Sequence, residues 1–428
     1  MRFDTLEAWL AWQESLNPRG IELGLERVRR VLERLDLLQP PFRVITVGGT
    51  NGKGSVASFA ASILQSAGLR TGRYLSPHIL RYNERIAIDG QEAGDGELCA
   101  AFEAVDHARG DESLTYFEFG TLAAFEIFRR RHVDVAVLEV GLGGRLDAVN
   151  VLDADVAVVV SIGLDHMDWL GSEIDAIARE KAGIFRADRP AIFGSPEMPP
   201  GIADVAEQVR ARLQRYGEAF NCEHTGDTWT WRSRTRTLEN LPRPPLAGVH
   251  QYTNAATAVA AVVALQPGIP EDAIRNGIGA MRLAGRLQVL PGDPEIVLDV
   301  GHNPDAAARV AEYLRADPKP TRAVLAMLAD KDAPGVVREL APQVTHWHLA
   351  PLEGARGQSA DALSTRLQLA GLELAHTVHA SVAAASAAAS AKMPPGGRVV
   401  VLGSFHTVAE FLVYFDSKYA ARGEQAGK

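Results

Sequence analysis

A glycine-rich turn follows an apolar stretch near the N-terminus, in the order Val44-Ile-Thr-Val-Gly-Gly-Thr-Asn-Gly-Lys-Gly-Ser55. Backbone N–H groups of such a turn converge on an anion, and Lys53 would add a full positive charge against outer phosphates. The spacing departs from the common phosphate loop, because three residues rather than four separate Gly48 from the Gly-Lys pair, and Gly54 stands where a hydroxyl residue usually follows the lysine. A tight turn without a ligand is the alternative. The strand before it and the small-residue helix over 56–67 favour a nucleotide triphosphate site.

Acidic and imidazole side chains follow two further apolar stretches. Glu139 lies at the end of one stretch, and Asp165 and His166 come directly after the next. In α/β folds, ligands bind at the carboxyl ends of parallel strands, so we expect these groups at one edge beside the phosphate loop. A paired structural acid and a structural histidine are the alternatives. The combination favours a divalent metal site, and Ser76, in Ser-Pro-His, is a candidate for the missing hydroxyl or else only the start of a turn.

Other polar residues allow two interpretations each. Lys181 is either a solvated lysine on a helix or a functional group. In the C-terminal part, Asp299 is a candidate ribose or base ligand, and His302 and Asn303 are candidate substrate or metal ligands, with a turn built on Asn-Pro as the alternative. Asn254 heads an alanine-rich helix, and its simplest interpretation is that of the helix cap.

The elements that must position these residues alternate between short apolar strands and helices. Such alternation indicates a mostly parallel sheet covered by helices on both faces. The strands predicted in this half are 134–140, 155–162 and 190–193, and the helices are 21–38, 121–130 and 172–185. Alternation of tryptophan with polar residues over 223–240 predicts an antiparallel excursion at the edge of the sheet.

The turn-rich passage Leu290-Pro-Gly-Asp-Pro294 predicts a domain boundary. We therefore expect an α/β fold with a P-loop-type domain over 1–290 and a smaller, Rossmann-like domain over 291–428. The strands predicted in the second domain are 296–300, 322–328, 345–349 and 398–402. The alanine-rich stretch 378–392 is predicted to be a closely packed helix.

Composition restricts the class of protein. The chain has 428 residues, 46% apolar and 23% charged, which is ordinary for a globular protein. A formal net charge of -9 argues against nucleic-acid binding, and two cysteines exclude a disulfide framework. The N-terminus lacks a secretory apolar core, and no apolar run approaches the ~20 residues that cross a bilayer. These features predict a cytoplasmic protein without a membrane partner.

Taken in order, the motifs resemble those of the folylpolyglutamate synthase/dihydrofolate synthase family within the Mur-type amide ligases. The resemblance covers essentially the whole chain. Its segments are Gly48-Gly-Thr-Asn-Gly-Lys-Gly-Ser55, Ser76-Pro-His78, Tyr82-Asn-Glu-Arg85, Thr115-Tyr-Phe-Glu118, Glu139-Val-Gly-Leu-Gly-Gly-Arg-Leu-Asp147, Asp165-His-Met-Asp-Trp-Leu-Gly171, Lys181-Ala-Gly183, His250-Gln-Tyr-Thr-Asn254, Asp299-Val-Gly-His-Asn-Pro304 and Leu328-Ala-Asp-Lys-Asp332.

This resemblance implies roles for individual residues. The ATP contacts would be Asn51, Gly52, Lys53, Gly54, Ser55, Asn254, Arg286 and Asp299. The Mg²⁺ ligands, for two ions, would be Ser76, Glu139 and His166, while Lys181 matches a position that is carbamylated in the family. The pterin-binding residues would be Leu23, Gly24, Leu25, Thr115, Tyr116, Phe117, Glu118, Leu146, Asp147 and Ala148. His302 is expected to help place the glutamate.

The implied reaction joins L-glutamate to the carboxylate of dihydropteroate and of tetrahydrofolate polyglutamates through an acyl phosphate, in a monomeric enzyme. Two other interpretations remain open. A Mur-type ligase for a peptidoglycan precursor would usually have Gly-Lys-Thr-Thr in the loop and a further N-terminal domain. A nucleotide-binding module without catalysis would not need Glu139, His166 and Lys181 together.

Overall fold

The computed structural model describes residues 2–17 and 22–420. Contacts divide the chain into two compact units. The first contains the residues up to Pro245 together with Gln251–Arg282, and the second contains Leu246–His250 and the residues from Leu283 onward.

An eight-stranded sheet forms the centre of the first unit, in the order β4-β3-β2-β5-β1-β6-β7-β8. Its strands are β1 (Arg43–Gly48), β2 (Thr71–Tyr74), β3 (Ile86–Ile88), β4 (Gln91–Glu92), β5 (Val135–Glu139), β6 (Val156–Val159), β7 (Pro190–Phe193) and β8 (Arg212–Arg215). The six neighbouring strands β2, β5, β1, β6, β7 and β8 pair in parallel. Strands β3 and β4 add antiparallel pairs at one edge. Strand β5 is buried along its whole length, which explains its continuous apolar sequence.

Ten helices accompany this sheet among the described residues. They are α1 (Leu6–Leu16), α2 (Glu26–Arg34), α3 (Lys53–Ser66), α4 (Asp95–Arg109), α5 (Tyr116–Arg130), α6 (Met167–Leu170), α7 (Ile174–Ala182), α8 (Pro200–Val209), α9 (His250–Leu265) and α10 (Glu271–Ala280). The three helices predicted from periodicity correspond to α2, α5 and α7, with shifted ends. None of the helices among the described residues has the length and apolar character needed to span a membrane.

The tryptophan-containing segment forms a separate sheet. Strands β9 (Phe220–Thr225), β10 (Thr228–Ser233) and β11 (Thr237–Pro242) pair antiparallel in the order β11-β10-β9. The predicted antiparallel pairing is confirmed, but its predicted place at the edge of the main sheet is wrong. Trp229 and Trp231 are buried on the same face of β10, and this face contacts α9, because Trp231 Nε1 donates to the Ala256 carbonyl and the Trp229 ring lies 6.1 Å from the Tyr252 ring.

A six-stranded sheet in the order β12-β13-β17-β14-β15-β16 forms the second unit. Its elements are β12 (Gln288–Leu290), β13 (Glu295–Asp299), α11 (Pro304–Ala316), β14 (Thr321–Leu325), α12 (Ala333–Leu340), β15 (His346–Leu349), α13 (Ala360–Leu369), β16 (His376–Val378), α14 (Val382–Ala391), β17 (Arg398–Leu402) and α15 (Phe405–Ala420). The four predicted strands and the alanine-rich helix are present. The turn-rich passage 291–294 is the connection between the antiparallel strands β12 and β13.

Candidate active site

Four adjacent strands of the first unit, β2, β5, β1 and β6, bring their carboxyl ends to one edge of the sheet. Ser76 follows β2, Glu139 ends β5, the glycine-rich turn follows β1, and His166 follows β6. Residues far apart in sequence therefore meet because their strands are neighbours. This is the edge at which parallel α/β sheets bind ligands.

The glycine-rich turn has the backbone of a phosphate-binding loop. Gly52 is left-handed, with φ of +85°, and a Cβ added there would lie 2.9 Å from Oδ1 of Asn254. Lys53 begins α3, and its Nζ donates a hydrogen bond to the Thr50 carbonyl at 3.1 Å. The first turn of α3 has no side-chain cap, so its N–H groups can direct their partial positive charge at an anion.

Hydrogen bonds from the segment after β6 also hold the loop in place. Ser161 Oγ accepts a hydrogen bond from the Asn51 amide at 3.1 Å and donates one to the Asn51 carbonyl at 3.0 Å. Thr50 Oγ1 donates to the Gly163 carbonyl at 3.1 Å and accepts from the Gly163 amide at 3.0 Å. Gly54 and Ser55 are buried inside the first turn of α3. The segment after β6 therefore fixes the shape of the turn.

Asn254 lies beside the phosphate loop although it comes two hundred residues later in the chain. It is the fifth residue of α9, so it does not cap this helix. Its Nδ2 donates to Gln251 Oε1 at 3.0 Å, which orients the amide. The structure thus brings this predicted nucleotide contact to Gly52.

The predicted metal ligands follow strands that end at the same edge of the sheet. Glu139 is buried, with 5% exposure, and its Oε2 accepts a hydrogen bond from the Ser76 amide at 3.1 Å. His166 has a left-handed φ of +52°, and its amide donates to Oδ1 of Asp165 at 2.8 Å. Within the described part of the chain, no three His, Cys, Asp or Glu side chains are grouped closely enough to hold a metal by themselves. A hydroxyl, a carboxylate and an imidazole still fit Mg²⁺ or Mn²⁺, which retain waters and phosphate oxygens as ligands.

Lys181 is buried, with 5% exposure, so its interpretation as a solvated lysine is wrong. Helix α7 directs its Nζ to the Gly49 carbonyl, at 3.0 Å. Burial, together with the positive charge of Lys53, lowers the pKa of Lys181 to about 7. A large fraction of this amine is therefore uncharged, and nucleophilic, near neutral pH.

A small pocket, with about 10 Å³ open to the centre of a water-sized sphere, joins these groups. It is lined by Gly49, Thr50, Lys53, Val140, Gly141, Leu142, Gly143, Asp165, His166 and Lys181. The phosphate loop, the buried lysine and the strand-end histidine therefore face one space.

The three segments predicted to bind the pterin meet beside this pocket. The Gly24 amide donates to the Leu146 carbonyl at 3.4 Å, which joins the 23–25 segment to the 146–148 segment. Thr115 and Glu118 form a capping box at the start of α5, and Glu118 also pairs with Arg27 at 2.8 Å. Both residues are buried, so their contacts in this structure are those of a helix cap.

Tyr116 and Phe117, between the two capping residues, are only partly buried and present aromatic surface. The Phe117 ring lies against Gly141, since a Cβ there would be 2.7 Å from Cζ of Phe117. Asp147 caps a 3-10 turn, Ala148–Val151, and accepts hydrogen bonds from the amides of Leu142 and Val149. Burial raises the pKa of Asp147 to about 7, although these hydrogen bonds favour its charged form.

The second unit carries the remaining predicted residues. Asp299 ends β13, and its two oxygens accept from the amides of Leu287 and Gly301 at 2.8 and 2.7 Å, so it holds the backbone next to Arg286. The Arg286 guanidinium lies 4.9 Å from the centre of the Phe405 ring. His302 Nδ1 is 3.0 Å from the Val300 carbonyl.

Asn303 is the N-cap of α11, because its Oδ1 accepts a hydrogen bond from the Ala306 amide at 2.9 Å. Pro304 occupies the first position of that helix, as expected for a cap followed by proline. Asn303 therefore caps a helix, and Asn-Pro begins α11 rather than forming a separate turn.

Comparisons with known proteins show the family of the chain. Residues 47–262 match the Mur ligase middle domain, and residues 285–405 match the Mur ligase glutamate ligase domain. The dihydrofolate synthase/folylpolyglutamate synthase of Escherichia coli K12 is 47% identical over 96% of each chain, and that of Haemophilus influenzae is 42% identical over 95% of this chain and 96% of its own. The chain belongs to this family.

Solved structures of the family have the same fold. The E. coli FolC structure in complex with DHPP and ADP has a TM-score of 0.92 and 46% identity, covering 97% of this chain and 98% of its own. A bifunctional folylpolyglutamate synthase/dihydrofolate synthase with Mn, AMPPNP and L-glutamate bound has a TM-score of 0.89 and 44% identity, covering 96% and 98%.

Sequence reasoning within this family missed several residues that the structure brings to the site. The Gly49 carbonyl receives Lys181, and Thr50 connects the loop to Gly163, yet both were treated only as parts of a motif. The sequence feature that could have identified them is their position in the glycine-rich turn, just before Asn51 and the Gly-Lys pair. Arg85 is buried beside Tyr116, and nothing in its local sequence indicates that proximity.

Proposed function

We propose that the protein is an ATP-dependent ligase that forms an amide between L-glutamate and the carboxylate of a folate-type acceptor. The acceptors are dihydropteroate, which gives dihydrofolate, and tetrahydrofolate polyglutamates. The observation that carries the proposal is one pocket that joins the loop lysine Lys53, the strand-end His166 and the buried Lys181. The enzyme acts as a monomer, which is the usual state in the family that the sequence resembles.

The reaction follows from the chemistry of a carboxylate, which is a poor acceptor for an amine. A carboxylate oxygen of the acceptor attacks the γ-phosphorus of ATP, the bond to the bridging oxygen breaks, and ADP leaves. The amine of L-glutamate then attacks the acyl phosphate and releases inorganic phosphate and a proton. Lys53 and the N–H groups at the start of α3 offset the charge of the phosphoryl group during transfer.

Ser76, Glu139 and His166 would hold Mg²⁺, and we propose two ions in the working enzyme. The position of Glu139 next to the Ser76 amide and the place of His166 in the Lys53 pocket support this assignment. Bound Mg²⁺ would supply charge neutralisation for the phosphates. The protein's own contribution is to orient the phosphate chain with the loop and the first turn of α3.

Lys181 is proposed to be carbamylated. An uncharged Nζ adds to CO₂ and loses one proton, which converts a neutral amine into an anion. Its burial, its lowered pKa of about 7 and its nearness to Lys53 all favour that product. The modified side chain would then be an anionic, carboxylate-like group beside the metal ligands.

Asn51, Gly52, Gly54 and Ser55 complete the proposed phosphate site, with Asn254, Arg286 and Asp299 as further ATP contacts. Leu23, Gly24, Leu25, Leu146, Asp147 and Ala148 form one part of the proposed pterin site, and 115–118 the other. The hydrogen bond between Gly24 and Leu146 supports a single site. His302 would help to place L-glutamate.

The deciding experiment measures ADP release with ATP, Mg²⁺ and L-glutamate, using dihydropteroate and tetrahydrofolate in separate reactions with product masses recorded. We expect one added glutamate on dihydropteroate and a ladder on tetrahydrofolate. A signal from one acceptor alone would refute the other activity. If neither acceptor causes ADP release although ATP binds, a Mur-type ligase or a non-catalytic nucleotide-binding protein would be favoured.

A further inference from the structure

Arg85 is a buried arginine without a carboxylate partner. Only 8% of its surface is exposed, and no acidic side chain of the described residues lies within ion-pair distance of its guanidinium. Buried arginines are almost always paired, because an uncompensated charge is costly in a low-dielectric environment. A charge held in this way indicates a place where a negative group from outside the chain binds.

The neighbouring acids are engaged elsewhere. Glu84 accepts from the amides of Ile79, Leu80 and Arg81, at 2.6 to 2.7 Å. Glu92 pairs with the exposed Arg81 at 2.6 Å. The carboxylates of Glu84 and Glu92 are therefore near Arg85 in sequence but bind other groups.

Aromatic rings fix the plane of the Arg85 guanidinium. Its central carbon lies 5.2 Å from the centre of the Tyr82 ring and 5.5 Å from that of Tyr116, and the two rings are perpendicular to each other. Its Nε donates to Nδ1 of His78 at 2.9 Å. The Tyr74 side chain also forms a hydrogen bond with Arg85. With Nε engaged and two rings beside it, the guanidinium retains further terminal N–H groups, and such a pair of N–H groups matches a carboxylate with two parallel hydrogen bonds.

The position of Arg85 connects it to the substrate segments. Tyr116 adjoins Phe117, whose ring lies against Gly141 of the Lys53 pocket. His78 belongs to the Ser-Pro-His segment that begins with Ser76.

We infer that Arg85 binds a carboxylate of the folate-type acceptor and thereby positions that substrate. This inference rests on the proposed function. Two carboxylates have the required chemistry: the one that is phosphorylated, present in both acceptors, and the α-carboxylate of a glutamyl unit, which dihydropteroate lacks. ATP also carries negative charge, but its predicted contacts lie in the phosphate loop and not at Arg85.

The test compares Arg85→Gln and Arg85→Lys with wild type, using both acceptors and separate binding of a non-hydrolysable ATP analogue. We expect Arg85→Gln to raise the acceptor KM about 10- to 100-fold while kcat and nucleotide affinity change little, since a charge-assisted hydrogen bond is lost. Arg85→Lys should recover part of the loss. Arg81→Gln, which removes a neighbouring exposed charge, is the matched control and should behave as wild type.

The two acceptors identify the carboxylate. A loss confined to tetrahydrofolate assigns it to the α-carboxylate, and a loss with dihydropteroate assigns it to the group that is phosphorylated. His78→Ala tests whether Arg85 has a purely structural role. This variant removes the hydrogen bond between Arg85 Nε and His78 Nδ1 but keeps the charged guanidinium. Equal defects in His78→Ala and Arg85→Gln, centred on kcat or nucleotide affinity, would overturn the inference.

A chemical measurement on the wild-type protein covers the case in which the Arg85 variants do not fold. Modification of Arg85 by phenylglyoxal, followed by peptide mass, should be slowed by an acceptor and not by the ATP analogue alone. Absence of protection would refute the assignment. An inactive wild-type enzyme would refute the proposed function instead, whereas an active one with an unaltered Arg85→Gln variant would refute only the role of Arg85.

Discussion

Two regions of the molecule hold buried nitrogen bases with lowered pKa values, and only one has the features of an active site. In the first unit, Lys181 has a pKa of about 7 and lies at a pocket beside the phosphate loop. In the second unit, His348 has a pKa of about 4. Burial is the largest cause at both positions.

The surroundings of His348 differ from those of Lys181. His348 Nδ1 lies 2.9 Å from Nε2 of His379, and the His346 ring centre is 4.9 Å away. Strand β15 carries His346 and His348 and packs against α14, and Arg322 and Lys392 add positive charge. No glycine-rich turn adjoins this cluster in the described chain. A perturbed pKa therefore does not by itself identify a site, whereas empty space, strand ends and free helix N–H groups together do.

The largest expected effect concerns Lys53. Lys53→Ala should reduce kcat about 10³-fold, because a positive charge directed at the transferring phosphoryl group is lost. The melting temperature should shift by less than about 2 °C, since a partly exposed loop lysine contributes little to packing. ADP release and a thermal melt measure the two quantities. A large decrease in the melting temperature of Lys53→Ala would mean that Lys53 has a structural rather than a chemical role.

Replacement of Lys181 tests whether its modification, and not only its burial, sets it apart from His348. Lys181→Ala should lose most activity, and short carboxylic acids should restore part of it by supplying the missing anion. Arg179→Ala, on the same helix but exposed and paired with Asp175, is the control. Unchanged activity without additive would make carbamylation irrelevant, and an added mass of about 44 Da, that of one CO₂, on the Lys181 peptide would support it directly.

A smaller effect is expected from Gly141→Ala. The new methyl group would lie 2.7 Å from Cζ of Phe117, so the ring must move from its place at the proposed acceptor site. We expect an acceptor KM raised about 10-fold with an unchanged KM for ATP, measured by initial rates. Gly94→Ala, where an added Cβ meets nothing within 4 Å, should leave both constants unchanged. Equal increases for the acceptor and ATP would argue against a specific role for Phe117.

The sequence predicted much of the candidate site because strand ends are visible in it. Glu139 and His166 each follow an apolar run, and the rule for parallel sheets places them together without knowledge of any contact. The burial of Lys181 was not visible, since a helix with Arg179 and Glu180 beside it looks solvated. Its position depends on how α7 packs against the turn after β1, a long-range contact that spacing does not encode.

Arg85 shows the same limit. Its rings come from Tyr82, three residues away, and from Tyr116, which lies on α5. The local part of this arrangement was present in the Tyr-Asn-Glu-Arg motif, but the distant part was not. Likewise, the tryptophan alternation predicted strands correctly but could not specify that they form their own sheet. Local pattern predicts elements well, and tertiary packing decides what they contact.

The smallest effect on activity is expected at His348, the buried base that the comparison with Lys181 places outside the active site. Its pKa is lowered from 6.5 to about 4, so between these values the unfolded chain binds a proton that the folded protein does not. The free energy of unfolding should therefore fall as pH decreases from about 6.5 to 4, by at most about 3 kcal/mol from this group. His348→Phe should weaken that acid dependence while leaving the rate of ADP release at pH 7.5 unchanged. Denaturant unfolding at several pH values measures it, with the exposed His107→Gln as control. A loss of activity in His348→Phe would show that the cluster is functional after all, and would place a second set of perturbed nitrogens in the machinery of the enzyme.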